Sequence, residues 1–525
     1  MKKYLFLSAF ALASFAQAQE KITNWQNLDY KTDGVRGIST EKAYNELLKG
    51  KTSTTIIVAV IDSGTEIDHE DLKDMIWVNP KEIPNNGKDD DNNGYIDDIN
   101  GWDFLGGKDG KDVSQDNYEV TREMARLRKL YTGKDVAKLP TKEKAYYDKV
   151  AKLYEEKAGE SKGTLMQISM MQKMYLDANA KVKKHLKKDV FTKDEVENIK
   201  SDEKEVKEAK KTLLGMMERE LDEKAFEEYT KHYGDALKYG YNEEFNSRSV
   251  IGDDYANLKE KGYGNNEVEG PDAQHGTHVA GIIGANRKNN LGVQGVADNV
   301  KLMILRTVPD GDERDKDIAN AIIYAADNGA RVVNMSFGKS FSPNKSRVDE
   351  AVKYAEKKGV LLVHAAGNDA KDVDVEDNFP TKRMLNKKVA KNWIEVGASD
   401  MGKTMEKFTA NFSNYGQKTV DVFAPGVDIY NTVPNQKYEH LSGTSMASPV
   451  VAGAAALILS YYPHLNVVQL KDILLKSSIK YIDQVNKPNE EGKPSMIEFN
   501  KLSITGGIIN VYEAVKMAET IKPKK

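Results

Sequence analysis

Three short segments, far apart in the chain, could together perform nucleophilic catalysis. They are Val-Ile-Asp62-Ser-Gly, His275-Gly-Thr-His-Val-Ala-Gly and Gly-Thr-Ser445-Met-Ala-Ser-Pro, and they supply an acid, a base and a nucleophile. A serine hydroxyl is a poor nucleophile at neutral pH unless a base removes its proton as it attacks. We expect His275 to be that base, Asp62 to orient its imidazole, and Ser445 to attack. The chain order Asp, His, Ser is one of the known orders of such a triad.

The same chemistry needs donors that stabilise negative charge on the reacting carbonyl oxygen. Ala-Ala-Gly-Asn368 follows an apolar run, and the amide of Asn368 could donate one hydrogen bond, with the backbone N–H of Ser445 donating the other. Small residues after Ser445 predict that a helix begins there. A helix N-terminus directs backbone N–H groups toward developing negative charge, so this placement suits the chemistry.

Short β-branched runs alternate with helical patterns along the chain. The predicted strands are Thr55–Ile61, Lys301–Thr307, Ala330–Ser336, Val360–Ala365, Trp393–Ala398 and Thr419–Ala424. The predicted helices are Thr277–Gly284, Asp315–Asn328, Arg347–Lys357, Thr444–Tyr461 and Val467–Lys476. This alternation indicates an α/β fold with a doubly wound, mostly parallel sheet flanked by helices. Ligands bind at the carboxyl ends of strands in such sheets, where Asp62, Ser336 and Asn368 are predicted to lie.

The motifs resemble those of the subtilisin-like serine proteases, the subtilase family. The resemblance covers roughly Leu28–Asp103 and Asn246–Met517. It implies an exported bacterial endopeptidase that hydrolyses peptide bonds of polypeptides through an acyl-enzyme intermediate. Asp62, His275 and Ser445 match the family's catalytic positions, and Asn368 matches its oxyanion-hole residue.

The resemblance also assigns a substrate-binding segment. Asn334-Met-Ser336-Phe337-Gly338 matches the family pattern, which implies that Ser336, Phe337 and Gly338 form an edge that pairs with the substrate backbone. The wall of the main specificity pocket is expected in the segment after Asn368. Four acidic residues in that segment could favour a basic substrate residue, or could be solvated or metal-binding loop carboxylates; they are Asp372, Asp374, Glu376 and Asp377.

Two other classes of function stay open at this point. The first is a binding or regulatory protein on the same scaffold, but a binding role does not need Ser445. The second is a nonpeptidic serine hydrolase such as an esterase, against which the Ser-Phe-Gly338 segment argues. The formal net charge of −4 does not favour a nucleic-acid partner, and the absence of Cys excludes disulfides and thiolate zinc sites.

The N-terminus predicts export from the cytoplasm, to the periplasm or outside the cell. Lys2 and Lys3 precede the apolar run Tyr4–Phe15, and Ala16–Ala18 fits a small-x-small cleavage pattern. Residues 1–18 are therefore predicted to be a signal peptide. A membrane anchor is the alternative, but the run is too short to span a bilayer and polar sequence follows it. No transmembrane segment is predicted after cleavage.

A charged insert is predicted to divide the catalytic domain into residues 19–103 and 247–525. The intervening residues 104–246 are rich in Lys, Glu, Tyr and Met, and their apolar spacing predicts amphipathic helices. The short stretch before the first strand leaves no room for the folded pro-domain that secreted subtilases usually carry. Our hypothesis is that the insert shields the cleft or docks a partner; a packed helical bundle with a solvated face is the alternative.

A calcium-binding loop is predicted before the insert. Its oxygen-bearing residues stand at alternate positions and are followed by a glycine for the sharp turn, although the usual glutamate at the twelfth position is absent. The expected ligands of a structural Ca²⁺ are Asp89, Asp91, Asn93 and Asp97. An Asx-rich surface turn is the alternative. The family resemblance implies a further Ca²⁺ at Asp71, although the partner loop Asn286–Leu291 does not match the common pattern cleanly.

Overall fold

The computed structural model describes residues 23–402, 404–489 and 495–523. The chain forms two compact units, of which the larger comprises Glu20–Glu119 and Asn246–Lys525 and the smaller, helical unit comprises Val120–Phe245. The helical unit thus begins later than position 104, where the change of composition placed it. The predicted signal peptide lies outside the described residues.

The larger unit is built on a nine-stranded sheet with two additional strand pairs. Its strands are β1 (Ile56–Asp62), β2 (Gly101–Asp103), β3 (Val300–Arg306), β4 (Val332–Met335), β5 (Leu361–Ala365), β6 (Trp393–Ser399), β7 (Val422–Pro425), β8 (Ile429–Val433), β9 (Lys437–Leu441), β10 (Ile479–Lys480), β11 (Gln484–Asn486), β12 (Met496–Glu498) and β13 (Gly507–Ile508). The sheet order is β10-β13-β7-β6-β5-β4-β1-β3-β2, and only β10 and β13 pair antiparallel in it. The predicted α/β fold with a mostly parallel sheet is confirmed.

Some of the helices belong to the larger unit with the sheet, and the others form the smaller unit. They are α1 (Tyr30–Asp33), α2 (Thr40–Lys42), α3 (Glu119–Leu130), α4 (Thr141–Leu186), α5 (Lys193–Glu197), α6 (Lys204–Met217), α7 (Glu223–Asp235), α8 (Arg248–Ile251), α9 (Gln274–Gly284), α10 (Asp315–Asp327), α11 (Lys345–Lys358), α12 (Thr444–Tyr461), α13 (Val467–Lys476) and α14 (Val511–Glu519). In the helical unit, α4 packs against α6 and α7 around Val182, Leu213 and Phe226. This unit is therefore a packed bundle.

Helix α12 is the central helix of the larger unit. It contacts β4, β5, β6 and β7, and almost all of its residues are buried. Alanine and glycine make up much of its middle, which allows the helix backbone to approach the sheet closely. In the described part of the chain it is also the one helix long and apolar enough to cross a bilayer, and 89% of that stretch is buried inside the protein. Such burial is what a core helix shows.

Candidate active site

Asp62 and His275 form a hydrogen-bonded pair at the carboxyl end of the sheet. Asp62 is the last residue of β1, and His275 lies in the first turn of α9. Nδ1 of His275 is 2.6 Å from Oδ1 of Asp62, whose side chain is 2% exposed. With a carboxylate as its acceptor, Nδ1 carries the proton, and Nε2 is left as the base. Burial disfavours the charged imidazole, but the charge and hydrogen bond of Asp62 outweigh it and raise the pKa of His275.

The residue after His275 must be glycine for this pair to form. A Cβ on Gly276 would lie 2.0 Å from the carbonyl oxygen of Gly64 and 3.3 Å from Cβ of Asp62. The start of α9 is therefore pressed against the loop that follows β1. This close approach explains physically why glycine follows histidine in the His275 motif.

Ser445 is the second residue of α12 and is tied to the end of β4. Its Oγ donates a hydrogen bond to Ser336 O (3.1 Å), and Oγ of Ser336 donates to Ser445 O (2.9 Å). Asn334 connects the same elements, because its Nδ2 donates to Ser336 Oγ (2.9 Å) while its Oδ1 accepts from Ser448 Oγ (2.8 Å). These contacts fix the turn that carries Ser445 against the segment predicted to bind substrate.

Asn368 follows β5 and is oriented by the residue before Ser445. Its Oδ1 accepts hydrogen bonds from N (2.8 Å) and Oγ1 (2.9 Å) of Thr444. The amide nitrogen is thereby directed toward Gly443, beside Ser445. The structure therefore brings the donor of Asn368 to the turn that carries the hydroxyl of Ser445, as an oxyanion hole requires.

A cleft of about 360 Å³ opens beside His275. Ser336, Phe337 and Gly338, the segment predicted to pair with substrate, line this cleft. The lining also includes Val308, Pro309, Asp310 and Gly311, which follow β3. The predicted substrate segment and the predicted base therefore share one groove.

Asn378, for which the sequence predicted no role, fills the space between two backbone segments of the site. A Cβ on Gly338 would lie 2.4 Å from its Oδ1, and a Cβ on Gly367 would lie 3.2 Å from its Nδ2. That Nδ2 donates to Ala366 O (3.1 Å). Asn378 thus places an uncharged amide between the segment of Gly338 and the segment that leads to Asn368.

The acidic residues of the same segment are directed elsewhere. Asp374 accepts hydrogen bonds from the backbone N–H of Lys418 (3.0 Å), and Asp372 accepts one from the backbone of Asp374 (3.0 Å). Glu376 and Asp377 are exposed. The loop-carboxylate alternative therefore describes this segment better than the basic-pocket interpretation.

His278 is a buried neighbour of His275 with a different environment. Its Nε2 lies 3.0 Å from Ile429 O and 3.2 Å from Glu439 O. Burial lowers the pKa of His278 to about 4, so the ring is neutral at physiological pH. The position of His278 is that of a structural residue between α9 and the β8–β9 hairpin.

Three carboxylates converge in the loop where Ca²⁺ was predicted. Oxygens of Glu82, Asp91 and Asp98 lie within 4.8 Å of one another. Glu82 is 7% exposed, and its Oε2 has no hydrogen-bond partner among the described residues. Burial raises the pKa of Asp98 to about 6 and also raises the pKa of Glu82. A hard cation that prefers oxygen ligands, such as Ca²⁺, fits this set and would relieve the crowding of charge.

Of the three carboxylates predicted as loop ligands, only Asp91 belongs to this cluster. Asp89 accepts hydrogen bonds from the backbone of Asn93 and Gly94, and Asp97 accepts from the backbone of Asn86 and Gly87, because these carboxylates cap the turns of the loop. The Asn93 amide donates to Asp98 at 2.9 Å. Glu82 and Asp98 were missed, since the alternating pattern does not include them.

Asp71 lies apart from this cluster and is already well supplied with protein donors. Its carboxylate accepts hydrogen bonds from the Asn289 amide, from the backbone N–H of Val293 (3.1 Å) and from the hydroxyl of Tyr438 (3.0 Å). We therefore do not include Asp71 among the residues that fit a cation.

The chain belongs to the subtilase family, whose profile matches residues 53–497. A thermophilic serine proteinase from Bacillus sp. (strain AK1) is 44% identical over 187 residues, which make up 35% of this chain and 42% of that protein. Subtilisin DY from Bacillus licheniformis is 41% identical over 203 residues, or 38% of this chain and 68% of that protein. A solved protease from Pseudoalteromonas arctica PAMC 21717 shows 26% identity and a TM-score of 0.40, covering 50% of this chain and 80% of that one.

Proposed function

We propose that this protein is an exported serine endopeptidase that hydrolyses polypeptides. The observation that carries the proposal is the 2.6 Å contact of His275 with Asp62, beside a cleft that is lined by Ser336, to which Ser445 is hydrogen-bonded. A binding role would not require an imidazole that a buried carboxylate orients at the edge of a cleft. Family membership and the family motifs around all three residues support the same activity.

In the proposed reaction, rotation about the Cα–Cβ bond of Ser445 moves its hydroxyl from Ser336 O to Nε2 of His275. His275 takes the proton as Oγ attacks the substrate carbonyl carbon, and Asp62 stabilises the imidazolium. Nδ2 of Asn368 and the backbone N–H of Ser445 stabilise the oxyanion. His275 then protonates the leaving amine, and a water molecule hydrolyses the acyl-enzyme by the same steps in reverse.

Substrate binding is proposed to use the backbone of Ser336–Gly338. An extended peptide added to this segment gains main-chain hydrogen bonds whatever its side chains, which suits an endopeptidase. An esterase would not need such an edge.

A structural Ca²⁺ is proposed at Glu82, Asp91 and Asp98, on the basis of the buried, unpartnered oxygen of Glu82. The ion would balance their charge and fix the loop; no catalytic step uses it.

Export rests on the predicted signal peptide, residues 1–18. A partner-binding or self-docking role of the predicted insert, residues 104–246, stays a prediction, tested by replacing Glu119–Phe245 with a short linker and assaying activity.

The first test is labelling with a fluorophosphonate, which reacts with activated serine nucleophiles. We expect the parent chain to be labelled in the presence of Ca²⁺ and the S445A variant not to be labelled. Hydrolysis of a denatured protein substrate should be lost in the same variant. Labelling without peptide hydrolysis, but with hydrolysis of simple esters, would favour the esterase alternative. A folded parent that does neither would leave the binding-protein alternative.

A further inference from the structure

A buried histidine on β5 contacts the segment that is proposed to bind substrate. His364 is fully buried, and its Nε2 lies 2.8 Å from the carbonyl oxygen of Phe337. Its Nδ1 lies 2.8 Å from Oε1 of Glu395, which stands directly beside it on β6. The other oxygen of Glu395 accepts a hydrogen bond from Nε1 of Trp393 (2.8 Å). His364 therefore connects the sheet interior to Phe337, and it has no part in the mechanism described above.

The contacts determine where protons must be in this group. A backbone carbonyl only accepts hydrogen bonds, so Nε2 of His364 must carry a proton. The carboxylate of Glu395 is already an acceptor for Trp393, and it faces Nδ1 as well. His364 and Glu395 thus share a second proton between them. The contacts at both ring nitrogens hold the imidazole in one orientation.

The contact with Phe337 determines which way the neighbouring carbonyls point. Successive carbonyl groups of an extended segment point to opposite sides. Phe337 O is directed inward at His364, whereas Ser336 O accepts from Oγ of Ser445, so these two carbonyls have different partners, as in an extended segment. Just beyond the segment, the backbone of Lys339 exchanges two hydrogen bonds with Phe379 (2.8 and 3.0 Å).

We propose that His364, oriented by Glu395, is a positioning residue that holds Ser336–Gly338 in the geometry for pairing with extended peptides. The inference rests on the proposed endopeptidase function. It assigns to His364 no contact with substrate and no proton transfer. Its predicted effect is selective: substrates that pair along the segment depend on His364, and substrates too small to pair do not.

Two matched amide substitutions separate the contacts of the ring. In H364Q the side-chain nitrogen stands near the former Nε2, so it keeps the donor to Phe337 O and loses Glu395. In H364N the nitrogen stands near the former Nδ1, so it keeps Glu395 and loses Phe337. H364F is a second variant that removes the donor while filling the space. H69Q, which alters another buried histidine in contact with Lys437 O, is the control.

The measurement is kcat/KM for an extended peptide divided by kcat/KM for a small ester, with fluorophosphonate labelling of Ser445 in every variant. We expect this ratio to fall about tenfold or more in H364N and H364F, and to stay within about threefold of the parent in H364Q and H69Q. Thermal stability should not follow the ratio, because H364Q keeps the ratio but leaves the buried carboxyl group of Glu395 without its contact to the ring.

A ratio that falls equally in H364Q and H364N, or that tracks stability across the variants, would overturn the proposal. An unchanged ratio in a folded H364N or H364F variant would also overturn the proposal. Failure of the parent chain to label or to cleave peptides would instead contradict the proposed endopeptidase function, so the two failures are distinguishable.

Discussion

Pro449 lies four residues after Ser445 in α12, and because proline has no N–H, the carbonyl of Ser445 accepts its hydrogen bond from Oγ of Ser336 (2.9 Å). In an uninterrupted helix the residue at 449 would satisfy that carbonyl. The proline thus frees an acceptor at the turn that carries the proposed nucleophile. Ser336 uses this acceptor to connect the end of β4, where substrate is proposed to bind, with the start of α12.

This arrangement predicts energetic coupling between Ser336 and Pro449. Replacing Ser336 by alanine leaves Ser445 O and Nδ2 of Asn334 without their partner, which should lower the free energy of unfolding by about 1–3 kcal/mol. P449A restores an N–H that can satisfy Ser445 O. In the P449A background, S336A should therefore cost less, with a coupling of at least ~0.5 kcal/mol in a denaturant double-mutant cycle. Additive effects would contradict the interpretation.

Asn368 should contribute to the rate more than to substrate affinity. Its Oδ1 is held by Thr444, so N368A removes a fixed donor and should lower kcat by roughly 10²–10³ with a smaller change in KM. N368D is the matched variant, because its carboxylate can keep both contacts with Thr444 but has no donor. Steady-state kinetics should show a comparable or larger loss in N368D. Near-parental kcat in N368D would remove Asn368 from the proposed oxyanion hole.

The pH dependence of activity follows from the environment of His275. The proposed base must be neutral, and its pKa is raised because the charge and hydrogen bond of Asp62 outweigh the effect of burial. Activity should therefore be lost as the pH falls through a value above the ordinary histidine pKa of about 6.5. In D62N the activity should be about 10⁴-fold lower, and the pH at which the remaining activity falls in acid should move to a lower value. If this pH is unchanged in D62N, a group other than His275 determines it.

His278 should make the protein less stable in acid. Burial lowers its folded-state pKa to about 4, whereas the unfolded value is near 6.5, so the unfolded chain binds the proton first as the pH falls. Protonation of His278 costs no stability above about pH 6.5; the loss of stability grows as the pH falls and reaches about 3 kcal/mol near pH 4. Denaturant unfolding at several pH values should show this slope in the parent and a shallower slope in H278Q. Equal slopes would contradict the prediction.

The sequence predicted those parts of the fold and site that depend on local pattern. The runs that became β1, β3, β4, β5, β6 and β7 are apolar because both faces of these strands are buried, and the motifs around the proposed triad are contiguous in the chain. The hairpin of β8 and β9 was missed, since the exposed side of β9 reads as polar loop.

What could not be predicted depends on contacts between residues distant in sequence. Glu82 and Asp98 meet Asp91 through the folding of a loop, and both stand outside the alternating pattern that predicted the loop ligands. His364 and Glu395 become neighbours only when β5 and β6 pair in register. A strand's sequence shows that it is buried; it does not show which strand lies beside it.

Calcium should stabilise the protein through Glu82 and Asp98. We expect Ca²⁺ to raise the melting temperature and a chelator to lower it, since a bound ion stabilises only the folded state. E82Q and D98N should each abolish this calcium-dependent shift. D89N is the matched control: Asp89 binds the backbone of Asn93 and Gly94, so its loss should lower the melting temperature equally with and without Ca²⁺. If D89N abolishes the shift while E82Q keeps it, the ligand set read from the alternating sequence pattern is correct and the proposed cluster is wrong.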